Sequence, residues 1–153
     1  MTVVVGIGNP DRGDDAAGRV LARRLRALAP PGIEVRECDG EATALMAAWD
    51  GAEDVVLVDA CHGAGTSGSV RVLDATDVAR LGSLRHSSTH SFGVVAAVGL
   101  ARAIGRLPRV LVLYAIEGRR FDEGAELSPE VDRAVDEVVG LLVGAEGPRA
   151  MTS

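Results

Sequence analysis

Residues 3–18 read VVVGIGNPDRGDDAAG, a β-branched run followed by a glycine-containing loop and then by the start of a helical pattern. A strand, a glycine loop and a helix in this order commonly frame a ligand site in α/β proteins. Along the rest of the chain, short β-branched runs alternate with longer segments of helical period. This alternation predicts an α/β fold, a three-layer sandwich with a mostly parallel five-stranded sheet and helices on both faces.

The predicted strands differ in how apolar they are. The first, third and fifth are apolar enough to be covered on both faces, as inner strands of a parallel sheet are. The fourth is weaker, so we expect it at an edge of the sheet. The strands span residues 3–8, 33–38, 54–60, 69–74 and 109–116.

The helical segments complete one domain over residues 1–143, with a flexible tail predicted over 144–153. The first helix joins the first two strands, and Arg19, Arg23 and Arg26 form a stripe opposite its apolar residues. We expect a solvated helix face there, with docking of an acidic partner as the alternative.

The last helix has Ser128 as its cap and Pro129 at its first helical position. This last helix spans residues 128–143, and two further helices are predicted over residues 41–49 and 93–105.

Composition excludes several classes of function. The net charge of −6 has the wrong sign for binding a phosphate backbone, so no nucleic-acid partner is expected. All 16 basic residues are arginine, which excludes a P-loop lysine, a Schiff-base lysine and a Ser-Lys dyad. The longest apolar run, residues 92–101, is about half of the roughly 20 residues that a membrane span needs. We therefore expect a cytoplasmic protein with no membrane partner and with Cys38 and Cys61 as buried free thiols.

The glycine loop is a candidate ligand site whose spacing does not match a dinucleotide fingerprint. The position three residues after Gly8 is an aspartate, and adjacent carboxylates would repel phosphate at the helix N-terminus. Asp39, which follows the second strand where a ribose-binding acid would lie, keeps a nucleotide-binding domain as an alternative. Helix capping explains Asp14, and Asn9 can form the turn before the proline. Asp15 is then left as a carboxylate at the C-terminal edge of the sheet, where α/β folds bind ligands.

Asp59 is the second candidate, because it ends the apolar run VVLVDA at residues 55–60. An acid in this position is rarely there for packing, although capping of the following loop is an alternative. If the first and third strands are neighbours, Asp15 and Asp59 meet at one crevice, where they either share a proton or bind a cation. His90, just before an apolar helix, can cap that helix or act as a ligand or an acid–base group. The Ser67 loop lacks the context of a nucleophile elbow, which argues against a serine nucleophile.

Three stretches in the same order resemble the hydrogenase maturation proteases: GIGNPDRGDDAAG at residues 6–18, VVLVDA at 55–60 and STHSFG at 88–93. Members of this family are endopeptidases that trim the C-terminal extension of nickel–iron hydrogenase large-subunit precursors. The resemblance spans about residues 3–143. It implies that Asp15, Asp59 and His90 form a metal-binding and catalytic trio, that cleavage follows nickel insertion, and that the protein acts on this precursor as a monomer.

The chain departs from the family pattern at two positions. Some relatives have glutamate where this chain has Asp15, which changes the reach of the ligand by one methylene. Many relatives have Asp-Gly-Gly-Thr after the second strand, where residues 39–43 here read DGEAT. We expect Asn9, Asp39 and Gly40 to contact the substrate. Because two of them lie in the stretch that departs from the family pattern, the identity of the precursor can differ from that of the relatives.

Two carboxylates and one imidazole suit a borderline divalent ion and leave coordination positions open. Such a set fits recognition of the substrate's nickel better than tight permanent binding, and it would also accept another divalent metal in the isolated protein. Cleavage could be metal-assisted or could use an aspartic-type activation of water. The alternative function is a non-proteolytic, nickel-sensing binding or chaperone module for the same precursor.

Overall fold

The computed structural model describes residues 1–63, 65–82 and 90–144, without the side chains of His90 and Ser91. Within these residues, five strands form one sheet in the order β2-β1-β3-β5-β4. All pairs are parallel except β4 with β5, so the predicted mostly parallel sheet and the edge position of the fourth strand are confirmed. The strands are β1 (Thr2–Ile7), β2 (Ile33–Cys38), β3 (Asp54–Cys61), β4 (Val70–Asp74) and β5 (Val110–Glu117).

Helices cover both faces of the sheet, as predicted for a three-layer sandwich. Those that pack on one face are α1 (Ala17–Leu28) and α5 (Pro129–Val143). Those that pack on the other are α2 (Ala42–Trp49), α3 (Val78–Gly82) and α4 (His90–Ala103). A 3-10 turn, Gly13–Ala16, precedes α1. The sequence did not predict α3, whose five residues are too few to show a helical period.

The two faces of the sheet follow the alternation of side chains along each strand. Val3, Val5 and Ile7 of β1 are buried beneath α2 and α4, whereas Val4 is buried beneath α1 and α5. β1 lies between β2 and β3, with Val5 opposite Leu57 of β3. The first and third strands are therefore neighbours, which meets the condition under which Asp15 and Asp59 were expected at one crevice.

Gly18 allows α1 to lie directly on β1 and β3. A Cβ atom at this position would overlap the carbonyl oxygens of both Ile7 and Val58. Because only glycine permits so close an approach, the first turn of α1 is held over the C-terminal ends of two neighbouring strands.

The arginine stripe of α1 is not simply a solvated face. Arg19, Arg23 and Arg26 all form ion pairs with Glu37 of β2, at 2.9, 3.2 and 2.9 Å. Arg19 also donates to the carbonyl oxygen of Gly8, at 3.1 Å. Although burial opposes ionisation, the guanidinium groups hold the pKa of Glu37 below its usual value. The stripe thus attaches α1 to the edge strand β2, a contact that spacing along one helix cannot reveal.

Two sequence predictions fall on residues outside those described. The tail is described only at Gly144, and residues 145–153 lie outside the description. The same holds for the His90 side chain, although the backbone of His90 begins α4. Among the described helices, none is long and apolar enough to cross a bilayer.

Candidate functional site

The C-terminal ends of β1 and β3 bring the two predicted aspartates to one edge of the sheet. Asp15 lies in the 3-10 turn that follows β1, and Asp59 lies near the end of β3. Each is only 5% exposed to solvent. Because charged side chains are seldom so deeply buried without a specific role, these carboxylates are the first candidates for a site.

The turn around Asp15 is closed by backbone contacts. The backbone N–H of Asn9 donates to Oδ2 of Asp15 at 3.2 Å, and Oδ1 of Asn9 accepts the N–H of Asp11 at 2.9 Å. Gly8 has a φ of +147°, and a Cβ atom there would overlap the carbonyl oxygen of Asp15. The predicted turn at Asn9 is confirmed, and Gly8 lets the chain pass close enough to Asp15 to hold it.

Asp59 faces the α2 and α4 side of the sheet. Its neighbours in the alternation, Leu57 and Cys61, are buried in the core on that side. Oδ1 of Asp59 accepts the backbone N–H of Ala60 at 2.8 Å, and Asp59 lies opposite Ala115 of β5. This local hydrogen bond resembles the loop-capping alternative, but it uses only one oxygen of the carboxylate, which lies on the face of the sheet that α2 and α4 cover.

Asp14 does not cap a helix, which corrects the capping role expected from the sequence. It is fully buried, and no side-chain cap is present at the 3-10 turn or at α1. Its Oδ2 accepts the N–H groups of Arg119 and Arg120, both at 2.9 Å. Ser128 donates its N–H to Oδ1 and its hydroxyl to Oδ2, both at 2.7 Å. Ser128 therefore stands at the N-cap position of α5 without capping it, because its hydroxyl binds Asp14.

These four hydrogen bonds tie the segment after β5 to the turn that carries Asp15. Although desolvation raises the pKa of Asp14, the N–H donors of residues 119, 128 and 120 and the Ser128 hydroxyl together hold it below its usual value. Asp14 is therefore an ionised anchor beneath the candidate site, and its neighbour Asp15 is left at the edge of the sheet.

Glu117 is a buried acid at the same edge that sequence reasoning missed. It ends β5 and lies opposite Cys61 of β3, on the face that Asp59 shares. Its Oε1 accepts the N–H groups of Gly63 and Gly65, at 3.1 and 2.7 Å, and its Oε2 accepts the Cys61 thiol at 3.2 Å. The signal was present, since VLVLYAIE ends in an acid just as VVLVDA does. Glu117 holds the loop that follows Asp59.

Burial and the neighbouring carboxylate also set the state of Cys61. Desolvation, followed by the hydrogen bond to Glu117, raises the pKa of Cys61 to about 12. Cys38 and Cys61 are both buried and free, as predicted. A thiol with so high a pKa remains protonated near neutral pH, so Cys61 is not a nucleophile.

The first turn of α4 meets the loop after β2. A Cβ atom at Gly93 would overlap the carbonyl oxygen of Gly40, so the two backbones touch. Gly40 has a φ of +100°, which favours glycine at this turn. His90, the first residue of α4, is thereby brought to the face of the sheet that Asp59 occupies. Because the side chain of His90 lies outside the described residues, the metal trio stays a prediction. Among the side chains that are described, no group of three metal-binding residues occurs.

A comparison with protein-family models identifies the family of the chain. The model described as "HycI: Hydrogenase maturation protease" matches residues 21–145. The chain belongs to the hydrogenase maturation protease family. The matched region contains Asp59 and His90 of the trio, and Asp15 lies six residues before it.

Solved structures of hydrogenase maturation proteases share the fold. The [NiFe] hydrogenase maturation protease HybD from Thermococcus kodakarensis is 24% identical with a TM-score of 0.72, covering 91% of this chain and 94% of that one. The hydrogenase maturating endopeptidase HybD from E. coli is 20% identical with a TM-score of 0.75, covering 93% and 91%. The HycI protease from Thermococcus kodakarensis KOD1 is 25% identical with a TM-score of 0.70, covering 94% and 90%. No curated protein sequence matches the chain.

The loop after β2, where this chain departs from the family pattern, is closed by its own side chains. Asp39 is exposed, and its Oδ1 accepts the N–H of Glu41 at 3.0 Å. Glu41 caps α2 by accepting the N–H groups of Thr43 and Ala44, at 2.9 and 3.1 Å. Glu41 is therefore a helix cap, and Asp39 remains on the surface.

Ser67, which the sequence disfavours as a nucleophile, and His62, which follows the end of β3, both have structural partners. The Ser67 hydroxyl donates to Glu130 at 3.1 Å, and the His62 ring lies 5.2 Å from the ring of Phe121. Nδ1 of His62 is 3.4 Å from the carbonyl oxygen of Gly118. These contacts assign neither residue to the crevice of Asp15 and Asp59.

Proposed function

We propose that this hydrogenase maturation protease removes the C-terminal extension of a nickel–iron hydrogenase large-subunit precursor, using Asp15, Asp59 and His90. The observation that carries the proposal is the pair of nearly buried carboxylates at the C-terminal ends of β1 and β3 in a chain of this family. His90 begins the helix that packs over the same face, and it completes the donor set.

The nickel that these residues engage belongs to the substrate. Two carboxylates and an imidazole are a mixed oxygen and nitrogen set, which suits a borderline divalent ion and leaves positions for the precursor's own ligands. Burial of both aspartates favours this use, because a cation compensates the desolvation of neighbouring carboxylates. Recognition of loaded nickel makes processing depend on prior metal insertion.

Hydrolysis bonds a water oxygen to the scissile carbonyl carbon, breaks the C–N bond and gives a proton to the leaving amine. A carboxylate of the pair accepts the proton of the attacking water, as a general base. In a metal-assisted route the substrate's nickel polarises the carbonyl, and in an aspartic-type route the carboxylates act alone. Precursor loaded with zinc instead of nickel separates the routes, since kcat changes with the ion only when the ion acts in the chemical step.

Substrate contacts are proposed at Asn9, Asp39 and Gly40, which surround the crevice. Gly40 touches the first turn of α4, and the exposed Asp39 lies beside it. Because Glu41 fixes this loop by capping α2, its shape is set before substrate arrives. We further propose that the enzyme acts in the cytoplasm as a monomer.

The test is processing of a co-expressed precursor by variants in each member of the trio. Asp15→Asn, Asp59→Asn and His90→Ala should leave the precursor at full mass. The first two remove a charged carboxylate, and the third removes the imidazole. The matched control is Asp136→Asn, an exposed carboxylate on α5, which should process normally. Thermal denaturation of each variant checks the fold.

Two results would contradict the proposal. Normal processing by all three trio variants would remove their catalytic role. A stable complex of wild-type protein with nickel-loaded precursor, in which the precursor mass never changes, would instead identify the non-proteolytic binding module.

A further inference from the structure

The two helical layers of the sandwich carry very different surfaces. On one face of the sheet, α1 contains four arginines and α5 contains five charged residues. On the other face, α2 contains no charged residue, and Arg102 is the one aspartate, glutamate, lysine or arginine in α4. α1 and α5 are thus ordinary amphipathic helices, whereas α2 and α4 are apolar around most of their circumference.

α4 nevertheless exposes large apolar side chains. Phe92 is 70% exposed, Leu100 is 47% exposed, and Ile104, just after the helix, is 59% exposed. Their spacing of eight and four residues puts them on one side of the helix, together with the exposed residues Ala96 and Ala103. We call this side, from Phe92 to Ile104, the α4 surface. A helix that is apolar all round is normally buried, and an exposed apolar patch of this kind commonly marks an interaction site.

The α4 surface extends from the candidate site to the far end of α2. At one end, Phe92 lies two residues after His90, in the turn that touches Gly40. At the other end, Ile104 lines a cavity of about 190 Å³ together with Met46 and Trp49 of α2. The distance from residue 92 to residue 104 is about 18 Å at 1.5 Å per helical residue. A molecule that reaches His90 therefore has an apolar track beside it.

We propose that the α4 surface docks the folded body of the large-subunit precursor through an apolar patch on that protein. The inference rests on the proposed function, which requires a protein substrate to lie over the edge where α4 begins. The α4 surface is continuous with that edge, and it has almost no charge to match a highly charged partner. Binding away from the cleavage point lets the enzyme select a folded precursor rather than a short peptide.

A second copy of this chain is a poorer occupant. Pairing of two α4 helices would cover Phe92 and the adjoining start of α4, and it would block the edge that substrate must reach. A surface used by the substrate is free in the resting enzyme and covered only during processing.

The test places a charge on the α4 surface far from the trio. Leu100→Arg and Ile104→Arg each lie more than two helical turns from His90, so they leave the site residues in place. The matched control is Leu141→Arg on α5, where the side chain is 53% exposed in the charged layer. Binding is measured by calorimetry with nickel-free precursor, which should stay uncut, and processing is measured with nickel-loaded precursor.

Both α4 variants should weaken precursor binding at least tenfold and raise KM with little change in kcat, as loss of a central apolar contact does. Leu141→Arg should behave as wild type. Equal KM and affinity in all variants would overturn the docking surface while leaving the proposed function standing. A wild-type dimer in sedimentation that Leu100→Arg dissociates would also overturn it, by making a second copy the occupant. Wild-type protein that neither binds nor cuts the precursor would contradict the proposed function and the docking surface together.

Discussion

Asp14→Ala should destabilise the protein more than any surface substitution, because it removes the acceptor for three backbone N–H groups and one hydroxyl. In the variant, the buried N–H of Ser128 has no acceptor, whereas the N–H groups of Arg119 and Arg120 are partly buried and can bind water instead. An unsatisfied buried donor costs about 1–3 kcal/mol, so we expect a loss of about 3–5 kcal/mol in the free energy of unfolding. For a chain of this length, that lowers Tm by roughly 10 °C.

The same anchor predicts a dependence on pH. Because the pKa of Asp14 in the folded protein is lowered, its stabilising contribution is fully present above the unfolded pKa of about 3.9 and is lost as pH falls through the folded pKa. The difference in stability between wild type and Asp14→Ala should therefore be constant near neutral pH and shrink below about pH 4.

Urea denaturation followed by circular dichroism measures both effects, at neutral pH and in a series down to about pH 3. Asp122→Ala, an exposed carboxylate in the same segment, is the matched control and should change stability by less than about 0.5 kcal/mol. A loss below about 1 kcal/mol in Asp14→Ala, or a difference that persists unchanged in acid, would refute the role of Asp14 as an ionised anchor.

Three further substitutions or treatments test neighbouring features. Gly93→Ala should reduce processing by about 100-fold, since its Cβ displaces α4 from Gly40, whereas Gly99→Ala, which meets nothing within 4 Å, should be normal in the same mass assay. Cys61, whose pKa is about 12, should label with iodoacetamide at mildly alkaline pH only after unfolding in urea, and labelling of the folded protein would contradict its burial. Glu37→Ala should cost about 1 kcal/mol in dilute salt and less in concentrated salt, and a salt-independent loss measured by urea denaturation would argue against the ion pairs with α1.

The sheet could be predicted from the sequence because its signals are local. The apolar strands β1, β3 and β5 stand out as β-branched runs, and the weaker pattern of β4 correctly indicated an edge. A parallel sheet puts the ends of these strands at one edge, so Asp15 and Asp59 were expected to meet if β1 and β3 were neighbours, and the strand order shows that they are. His90 was a candidate from its position before an apolar helix, and the resemblance to the family joined it to the two aspartates; its side chain lies outside the described residues.

The role of Asp14 could not be predicted, because its partners are 105 to 114 residues away in the chain. An aspartate before a helix is locally explained as a cap. In the structure, Asp14 instead accepts hydrogen bonds from residues 119, 120 and 128. The ion pairs of the α1 arginines were missed for the same reason, since Glu37 belongs to a different element. Glu117 differs from these, because an acid at the end of an apolar strand was visible in the sequence and the rule applied to Asp59 would have found it.

The central claim, that the chain cuts its partner in response to nickel, is tested most directly with purified components. Large-subunit precursor is prepared with and without nickel, incubated with wild-type protein and with Asp59→Asn, and its intact mass is measured. We predict that wild-type protein removes a C-terminal peptide from the nickel-loaded precursor alone and that Asp59→Asn leaves both forms uncut. Equal cleavage with and without nickel, or cleavage by Asp59→Asn, would contradict the account.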